Sequence, residues 1–283
     1  MPALFVHDLT VIDLSLLDPE RGLLGESWLV DIELEGELDG QGMVLDFGAV
    51  RKITKQTIDR LFDHRLLLPS EYPGCRLEER GKRSRVRFRT LSGEAYTLEV
   101  PGDSLRSIDA GQVDADTLTR AIDRALRPLM PANVRRLELR LRSERIEGAW
   151  YRYSHGLKQH RGNCQRIAHG HRSRIHIFRN GQRDTQLEHQ WAESWRDVYL
   201  GCRDDLRERF EEDGVEYCRF AYRAMQGDYE LTLPRSRCRL LDRETTVENL
   251  ACHIASTLRH EHPGTRFRVE AFEGVGKGAI CGD

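Results

Sequence analysis

The clearest pattern of apolar and polar positions in the chain is an alternation across residues 27–36. Trp28, Val30, Ile32 and Leu34 alternate there with neighbours that become increasingly acidic. A period of two is typical of a strand that buries one face and exposes the other. The segment is therefore predicted to be a half-buried strand.

The patterns that follow predict a mixture of strands and helices. A short apolar run at residues 43–47 predicts another strand, and from residue 48 a spacing of three and four predicts a helix toward residue 66. The polar stretch 71–84, punctuated by Gly and Pro, predicts a surface loop. A hairpin within 86–100, a helix over 116–130 and a strand over 136–142 complete this half.

The same order of elements returns in the second half of the chain at a nearly constant offset. The matching landmarks are Phe88 with Phe220, Gly93 with Gly227, Pro101 with Pro234, Leu118 with Leu250, and Pro131 with Pro263. Several landmarks near one offset indicate a tandem duplication. We therefore predict two α+β units, residues 1–146 and 147–283.

Composition narrows the class of protein. The chain has 283 residues, enough for two domains, with 32% charged residues and a net charge of only −2. This balance predicts no nucleic-acid partner, and no apolar run is long enough to span a membrane. The seven cysteines lack CxxC spacing, which disfavours a disulfide framework and predicts a reduced, cytoplasmic protein.

The second half carries a candidate metal and thiol centre. In His169-Gly170-His171 the two imidazoles are two residues apart, so a strand would point them to one side. His155 lies on an earlier stretch that could pair with it, and Cys164 lies between. Three imidazoles without a fourth protein ligand are typical of a catalytic zinc site. The alternatives are three ordinary surface histidines and a cysteine that acts as a small buried apolar residue.

The two halves differ in this chemistry. The repeat aligns His169 and His171 with Leu24 and Glu26 of the first half. Conversely, Asp63-His64 of the first half has no Asp-His equivalent in the second. Each half therefore lacks what the other has.

Together these residues resemble the 6-pyruvoyl-tetrahydropterin synthase / 6-carboxy-tetrahydropterin synthase family. The motifs that carry the resemblance are His155, Cys164, His169-Gly170-His171, Asp63-His64, residues 42–47, Thr246-Val-Glu248-Asn-Leu-Ala251 and Glu273. The resemblance implies the tunnelling fold, in which antiparallel four-stranded sheets backed by helices assemble edge to edge into barrels. Such assembly removes exposed sheet edges. It also implies a homo-oligomer of two or three tandem chains.

The resemblance further implies a role for each motif. His155, His169 and His171 would hold Zn²⁺, Cys164 would be the general base, Asp63-His64 the proton relay, and Glu273, Thr246 and Glu248 substrate-binding residues. Bland alternatives stay open for several of these. A His at a helix end is favourable against the helix dipole, a strand-end Glu can be solvated, and Thr246 with Glu248 could simply cap a helix.

The activity implied is that of a zinc-dependent lyase acting on 7,8-dihydroneopterin triphosphate. The preferred product is 6-carboxy-5,6,7,8-tetrahydropterin on the queuosine (7-deazaguanine) route, with loss of acetaldehyde and triphosphate. The alternatives are triphosphate elimination that stops at 6-pyruvoyl-tetrahydropterin, and a non-catalytic pterin- or metal-binding relative. Candidate cations for the triphosphate are Lys158, Arg161 and Arg172.

Overall fold

The computed structural model describes residues 1–282, in which two halves repeat one order of elements. The first half consists of β1 (Ala3–Asp18), β2 (Gly22–Gly36), α1 (Phe47–Leu61), β3 (Leu66–Pro69), β4 (Cys75–Arg80), β5 (Arg83–Arg89), β6 (Ala95–Pro101), β7 (Leu105–Ile108), α2 (Ala115–Leu126) and β8 (Val134–Ser143). The second half consists of β9 (Trp150–His155), β10 (His169–Arg179), β11 (Gln182–Arg183), α3 (Thr185–Ser194), β12 (Val198–Cys202), β13 (Leu206–Glu212), β14 (Val215–Ala224), β15 (Gly227–Pro234), β16 (Cys238–Leu241), α4 (Val247–Glu261), β17 (Phe267–Phe272) and β18 (Gly278–Gly282).

Each half builds one main sheet with the same strand order. The order is β7-β3-β1-β2-β8 in the first half and β16-β12-β9-β10-β17 in the second, where β18 adds an edge strand. The long strands run antiparallel, as predicted, but β3, β7, β12 and β16 add parallel pairs. The sheets are therefore mixed and larger than the four antiparallel strands expected. Strands of four or five residues are too short to reveal a period in sequence.

A third sheet joins the two halves. Its order is β13-β14-β15-β6-β5-β4, and β15 pairs antiparallel with β6 so that Leu231 lies opposite Leu98. These leucines occupy matching positions in the two hairpins, so the pairing is symmetric about them. Because β6 and β15 would otherwise be open sheet edges, their pairing satisfies backbone groups of both halves. The sequence did not predict this sheet.

Helices cover one face of each main sheet and create separate cores. α1 and α2 pack on the first sheet around residues such as Val30 and Ile122, and α3 and α4 pack on the second around residues such as Ile175 and Ile254. A third core lies beneath the shared sheet. Within residues 1–282, no helix is long and apolar enough to cross a membrane.

The two main sheets touch where glycines allow their backbones to meet. A Cβ on Gly25 of β2 would lie 1.9 Å from the carbonyl oxygen of Tyr153, and one on Gly170 of β10 would lie 2.6 Å from the Cα of Gly25. Beside them the hydroxyls of Ser15 and Ser154 are 2.7 Å apart and buried. Glycine within a strand often marks such a close approach. This crossing brings side chains of the first half beside the histidines of the second.

Three segments differ from the sequence predictions. Residues 43–47 are not a strand, because Asp39 accepts backbone hydrogen bonds in a turn and Asp46 then caps α1. The predicted loop 71–84 contains β4 and the start of β5. No pattern before residue 27 predicted β1, whose second half is buried on both faces and so loses the alternation of a half-buried strand.

The cysteines also depart from expectation. Cys252 of α4 and Cys281 of β18 form a disulfide, although cysteine spacing disfavoured one. The bridge joins a helix to the last strand across 29 residues, a proximity that only the fold creates. The other five cysteines are free: Cys75, Cys164, Cys202, Cys218 and Cys238.

Candidate metal and proton-transfer site

Three histidines from two neighbouring strands form a compact cluster. In the antiparallel β9–β10 pair His155 lies directly opposite His169, and His171 follows two residues later on the same face. Their ring centroids are 4.3 to 5.6 Å apart. One ring nitrogen from each lies within 4.8 Å of the others, and all three side chains are buried. The strand pairing proposed from sequence is therefore present, with the geometry of a metal-binding group.

Hydrogen bonds orient two of these rings toward the centre of the cluster. Nδ1 of His155 donates to the carbonyl oxygen of Thr245 (3.0 Å), and Nδ1 of His169 donates to that of Arg166 (3.0 Å). The opposite nitrogens, both Nε2, have no hydrogen-bond partner among residues 1–282. Carbonyl acceptors on the far nitrogen are typical of metal-ligating histidines, because they fix the tautomer.

The electrostatics of these two rings also fit a metal site. Burial, with the neighbouring histidines adding to it, holds the pKa of His155 and of His169 well below the ordinary value. The rings are therefore neutral, which is the form that coordinates zinc. Buried nitrogens without partners are rare in proteins and call for an explanation. The residues present therefore fit a Zn²⁺ ion.

The third ring is flanked by carboxylates from both halves. Nδ1 of His171 lies 3.2 Å from Oδ1 of Asp13, on β1, and Nε2 lies 3.9 Å from Oε1 of Glu273. Burial by itself raises the pKa of Asp13, but its contacts with His171 and Lys277 outweigh burial and hold that pKa below its ordinary value. Asp13 was not identified from sequence, where nothing marks it among the other acidic residues.

Asp63 and His64 of the first half reach this cluster within the same chain. Oδ2 of Asp63 lies 2.5 Å from Nδ1 of His64, and the His64 and His169 rings are 5.2 Å apart. His64, Cys164 and His169 each place a ligand atom within 4.8 Å of the others. The thiol, the imidazole–carboxylate pair and the histidine cluster are thus contiguous. The groups that each half carries alone therefore meet here inside one molecule.

The backbone at His64 explains how a short segment aims both side chains. His64 has a left-handed conformation (φ 53°), uncommon for a residue with a side chain. Its N–H donates to the carbonyl oxygen of Asp13 (2.7 Å), while the N–H of Asp13 donates to Oδ1 of Asp63 (2.9 Å). Strained conformations of this kind persist where the surroundings hold them. The end of α1 is thus tied to β1.

The protonation state of His64 follows from its partners. Burial opposes the charged ring, but hydrogen bonds and charges of Asp63 and Cys164 outweigh it and raise the pKa of His64 to about 10. At neutral pH the ring therefore carries a proton beside the thiol. That arrangement can donate a proton to one group and accept it from another.

The turn that carries Cys164 rests on the shared sheet. Gln165, next to the half-buried Cys164, is fully buried. Its carbonyl oxygen accepts from the hydroxyl of Tyr222 (2.7 Å), and its side-chain oxygen accepts from the N–H of Gln226 (2.6 Å). The β14–β15 hairpin therefore positions the thiol. Neither Tyr222 nor Gln226 belongs to a motif by which the sequence could have marked it.

The predicted substrate residues lie in different settings. Glu273 is half-buried and faces the cluster, as described above. Thr246 is the N-cap of α4, accepting from the N–H of Asn249 (3.4 Å), and Glu248 is exposed on the first turn. The threonine that touches the cluster is the preceding one, Thr245. Binding roles for Thr246 and Glu248 remain predictions.

The candidate triphosphate cations are partly engaged elsewhere. Lys158 donates to the buried Asp205 (2.8 Å), and Arg172 stacks on Trp150 with its guanidinium 4.1 Å from the ring centroid. Arg161 is exposed on the loop before Cys164. Within residues 1–282, none of the three forms a hydrogen bond with the histidine cluster.

The matching positions of the first half carry other residues in place of the histidine cluster. Where His155 faces His169, the first half has Leu16 facing Leu24. Glu26 matches His171, and it is bound by Arg152 of the second half, with Nη2 and Oε2 2.8 Å apart. The first half therefore carries apolar residues and an ion pair where the second carries the histidine cluster.

We expect the Glu26–Arg152 pair to stabilise the contact between halves. Changing Glu26 to Gln leaves a mostly buried guanidinium without its charge partner, so we expect a loss of about 3–5 kcal/mol in the free energy of unfolding. Urea denaturation measures this. Asp109→Asn, which breaks the exposed pair with Arg124, should cost under about 1 kcal/mol. Equal effects of the two variants would contradict the expectation.

Comparison with known proteins agrees with this architecture. The sequence profile of the family described as 6-pyruvoyl tetrahydropterin synthase matches twice, at residues 14–153 and 145–282. A protein of Pyrococcus horikoshii with the provisional name 6-carboxy-5,6,7,8-tetrahydropterin synthase is 26% identical over 117 residues, or 41% of this chain. The match spans 66% of that protein, just under two thirds of its length.

Solved structures with some likeness come from Plasmodium. The 6-pyruvoyl tetrahydropterin synthase of Plasmodium falciparum has a TM-score of 0.42 at 16% identity, covering 50% of this chain and 91% of that one. The Plasmodium vivax protein has a TM-score of 0.38 at 15% identity, covering 50% and 97%. The two profile matches span nearly the whole chain. The chain therefore belongs to the 6-pyruvoyl tetrahydropterin synthase family, as a tandem pair of tunnelling-fold units.

Proposed function

We propose that the chain is a zinc-dependent lyase that converts 7,8-dihydroneopterin triphosphate to 6-carboxy-5,6,7,8-tetrahydropterin. The observation that carries the proposal is the meeting, in one chain, of three buried imidazoles, the Cys164 thiol and the Asp63-His64 pair. Family membership supports the pterin substrate, and the name of the Pyrococcus horikoshii relative supports the carboxy product.

Each residue has a task in this reaction. His155, His169 and His171 would hold Zn²⁺, which when bound would supply a Lewis acid for the oxygens of the substrate side chain. Cys164, acting as the thiolate beside His64 and His169, takes the side-chain proton and becomes the thiol. His64, protonated and held by Asp63, supplies a proton to the substrate and takes it back later.

Glu273 is proposed as the pterin anchor. Its carboxylate, 3.9 Å from His171, lies just past the end of β17 and is 23% exposed, so part of it remains open to a ligand. A carboxylate can accept two parallel hydrogen bonds from the N–H groups of a pterin ring. That contact would place the substrate side chain against the histidine cluster.

The oligomeric state and the pathway belong to the same proposal. β8 is the outer strand of the first sheet, and outer strands present unpaired backbone groups to a partner. We propose that two or three chains associate through such edges in the cytoplasm. The product would enter the queuosine (7-deazaguanine) route, as the carboxy-forming reaction implies.

The proposal is tested by turnover of 7,8-dihydroneopterin triphosphate by the purified, zinc-loaded protein. We expect triphosphate release together with acetaldehyde and a 6-carboxy-tetrahydropterin, identified by chromatography and mass spectrometry. Triphosphate release without acetaldehyde would assign the 6-pyruvoyl product instead. Pterin binding without any turnover would indicate a non-catalytic relative and would overturn the enzyme assignment. The Glu273→Gln variant serves to separate substrate binding from chemistry, since it should raise KM more than it lowers kcat.

A further inference from the structure

Asp13 is a side chain of the first half that lies at ion-pair distance from the histidine cluster and is itself almost fully buried. It is 4% exposed, on β1 beside the crossing of the two main sheets. Oδ1 lies 3.2 Å from Nδ1 of His171 and accepts a 2.5 Å hydrogen bond from Ser27, while Oδ2 accepts one from Lys277 (3.1 Å). The carboxylate is therefore fixed in direction by three partners.

This contact fills a gap in the support of the histidines. His155 and His169 each donate Nδ1–H to a backbone carbonyl, but His171 has no such acceptor among residues 1–282. Asp13 occupies that side of the ring. A carboxylate behind a ligating imidazole fixes its orientation and raises its basicity. The second half thus supplies carbonyl acceptors for two rings, and the first half places a carboxylate beside the third.

The backbone of Asp13 holds the proton-transfer pair at the same time. Its N–H donates to Oδ1 of Asp63 and its carbonyl oxygen accepts from the N–H of His64. The side chain and the backbone of one residue therefore touch the histidine cluster and the relay. Any displacement of Asp13 would change the distance between the two groups.

The position that matches Asp13 in the second half carries a different residue, so the fold itself does not require an aspartate there. Arg152 occupies it and binds Glu26, the counterpart of His171. Asp13 places a carboxylate beside the imidazole of His171, whereas Arg152 places a guanidinium beside the carboxylate of Glu26. In each half, the side chain at this position therefore complements the residue that it contacts in the other half.

We propose that Asp13 is a positioning residue through which the metal-free first half orients the metal ligand His171 and the Asp63-His64 pair. The inference rests on the proposed zinc site. It gives the first half a task beyond carrying the relay. The competing interpretation is a purely structural role, in which Asp13 only neutralises Lys277.

The test measures zinc affinity by competition with a chromogenic chelator, alongside thermal unfolding of the metal-free protein. Asp13→Asn keeps the size of the side chain and removes its charge. We expect zinc affinity to fall about 10–100-fold, as for other partners of ligating histidines, with kcat lowered more than KM is raised. Asp31→Asn is the matched control, because Asp31 lies on the same sheet and pairs with Arg142 away from the histidines.

The outcomes separate this inference from the proposed function. Unchanged zinc affinity in Asp13→Asn, with only a lower unfolding temperature, would overturn the positioning role and leave the zinc site standing. Absence of zinc binding by the unmodified protein would overturn both. If Asp13→Asn does not fold, Ser27→Ala decides. It removes the hydrogen bond that directs Oδ1, so the inference requires a smaller loss of zinc affinity in the same direction, and no loss would overturn it.

Discussion

Changing His169 to Ala is expected to remove zinc from the protein and to reduce turnover to the limit of detection. His169 lies at the centre of the site: its ring is 4.3 Å from that of His155 and 5.2 Å from that of His64. Loss of one of three ligands should cost more affinity than the roughly 10–100-fold seen when an outer partner is lost. Metal analysis after gel filtration should give about one zinc per chain for the unmodified protein and none for the variant.

His176→Ala is the matched control for this variant. His176 lies further along the same strand, β10, and its Nδ1 contacts Glu270 (3.0 Å) and none of the three clustered histidines. We expect this variant to retain zinc and most of its activity. Zinc bound equally well by the His169→Ala protein would show that the ion sits elsewhere and that the three-histidine site is wrong.

The clustering of the three histidines could be predicted from sequence because local geometry suffices to place them. His169 and His171 are two apart on one strand, so a single pattern put both on one face. Local spacing did not show which strand pairs with the strand of His155. The direct pairing of His155 with His169 confirms the pairing that we predicted. One strand pair is enough to bring these three histidines together, so the rest of the fold does not have to be known to predict their clustering.

The surroundings of the cluster could not be predicted because they depend on contacts between the halves. Asp13 becomes significant only because Gly25 and Gly170 let two sheets cross in backbone contact. Gln165 is held by Tyr222 through a sheet that forms when hairpins of both halves pair. Hydrophobic periodicity reports which face of an element is buried, and it carries no information about which distant element covers that face.

The sequence shows which chemical groups each half carries, but it does not show where those groups meet. The absence of histidine at Leu24 and Glu26 and the absence of an Asp-His pair in the second half are facts of sequence. His64 lies beside Cys164 within one chain because the two main sheets cross there. From sequence alone, a contact between two chains was an equal alternative. The duplication thus places the thiol and histidine cluster of one half and the Asp63-His64 pair of the other in one covalent unit, so their proximity does not depend on the association of chains.

The second large effect is expected for Cys164→Ala, which should retain zinc but lose turnover. Removing a general base costs roughly 10²–10⁴-fold in rate, and we expect kcat to fall within that range while zinc content stays near one per chain. In the proposed zinc site the thiol is not one of the three histidine ligands, and it lies on a separate turn, at residues 163–165, so its removal should leave the histidine geometry intact. Steady-state kinetics and metal analysis on one sample separate the two effects.

Cys75→Ala is the control, because Cys75 is also a free, half-buried cysteine of the described chain. Burial raises the pKa of the Cys75 thiol to about 11, so it remains protonated and unreactive at neutral pH. We expect its replacement to leave kcat unchanged. A fully active Cys164→Ala protein would contradict the base assignment, and the proton would then have to be taken by another group beside the cluster. His64 would be the first to examine: its raised pKa depends in part on Cys164, so loss of the thiol should lower that pKa and leave more of the ring neutral and able to act as a base.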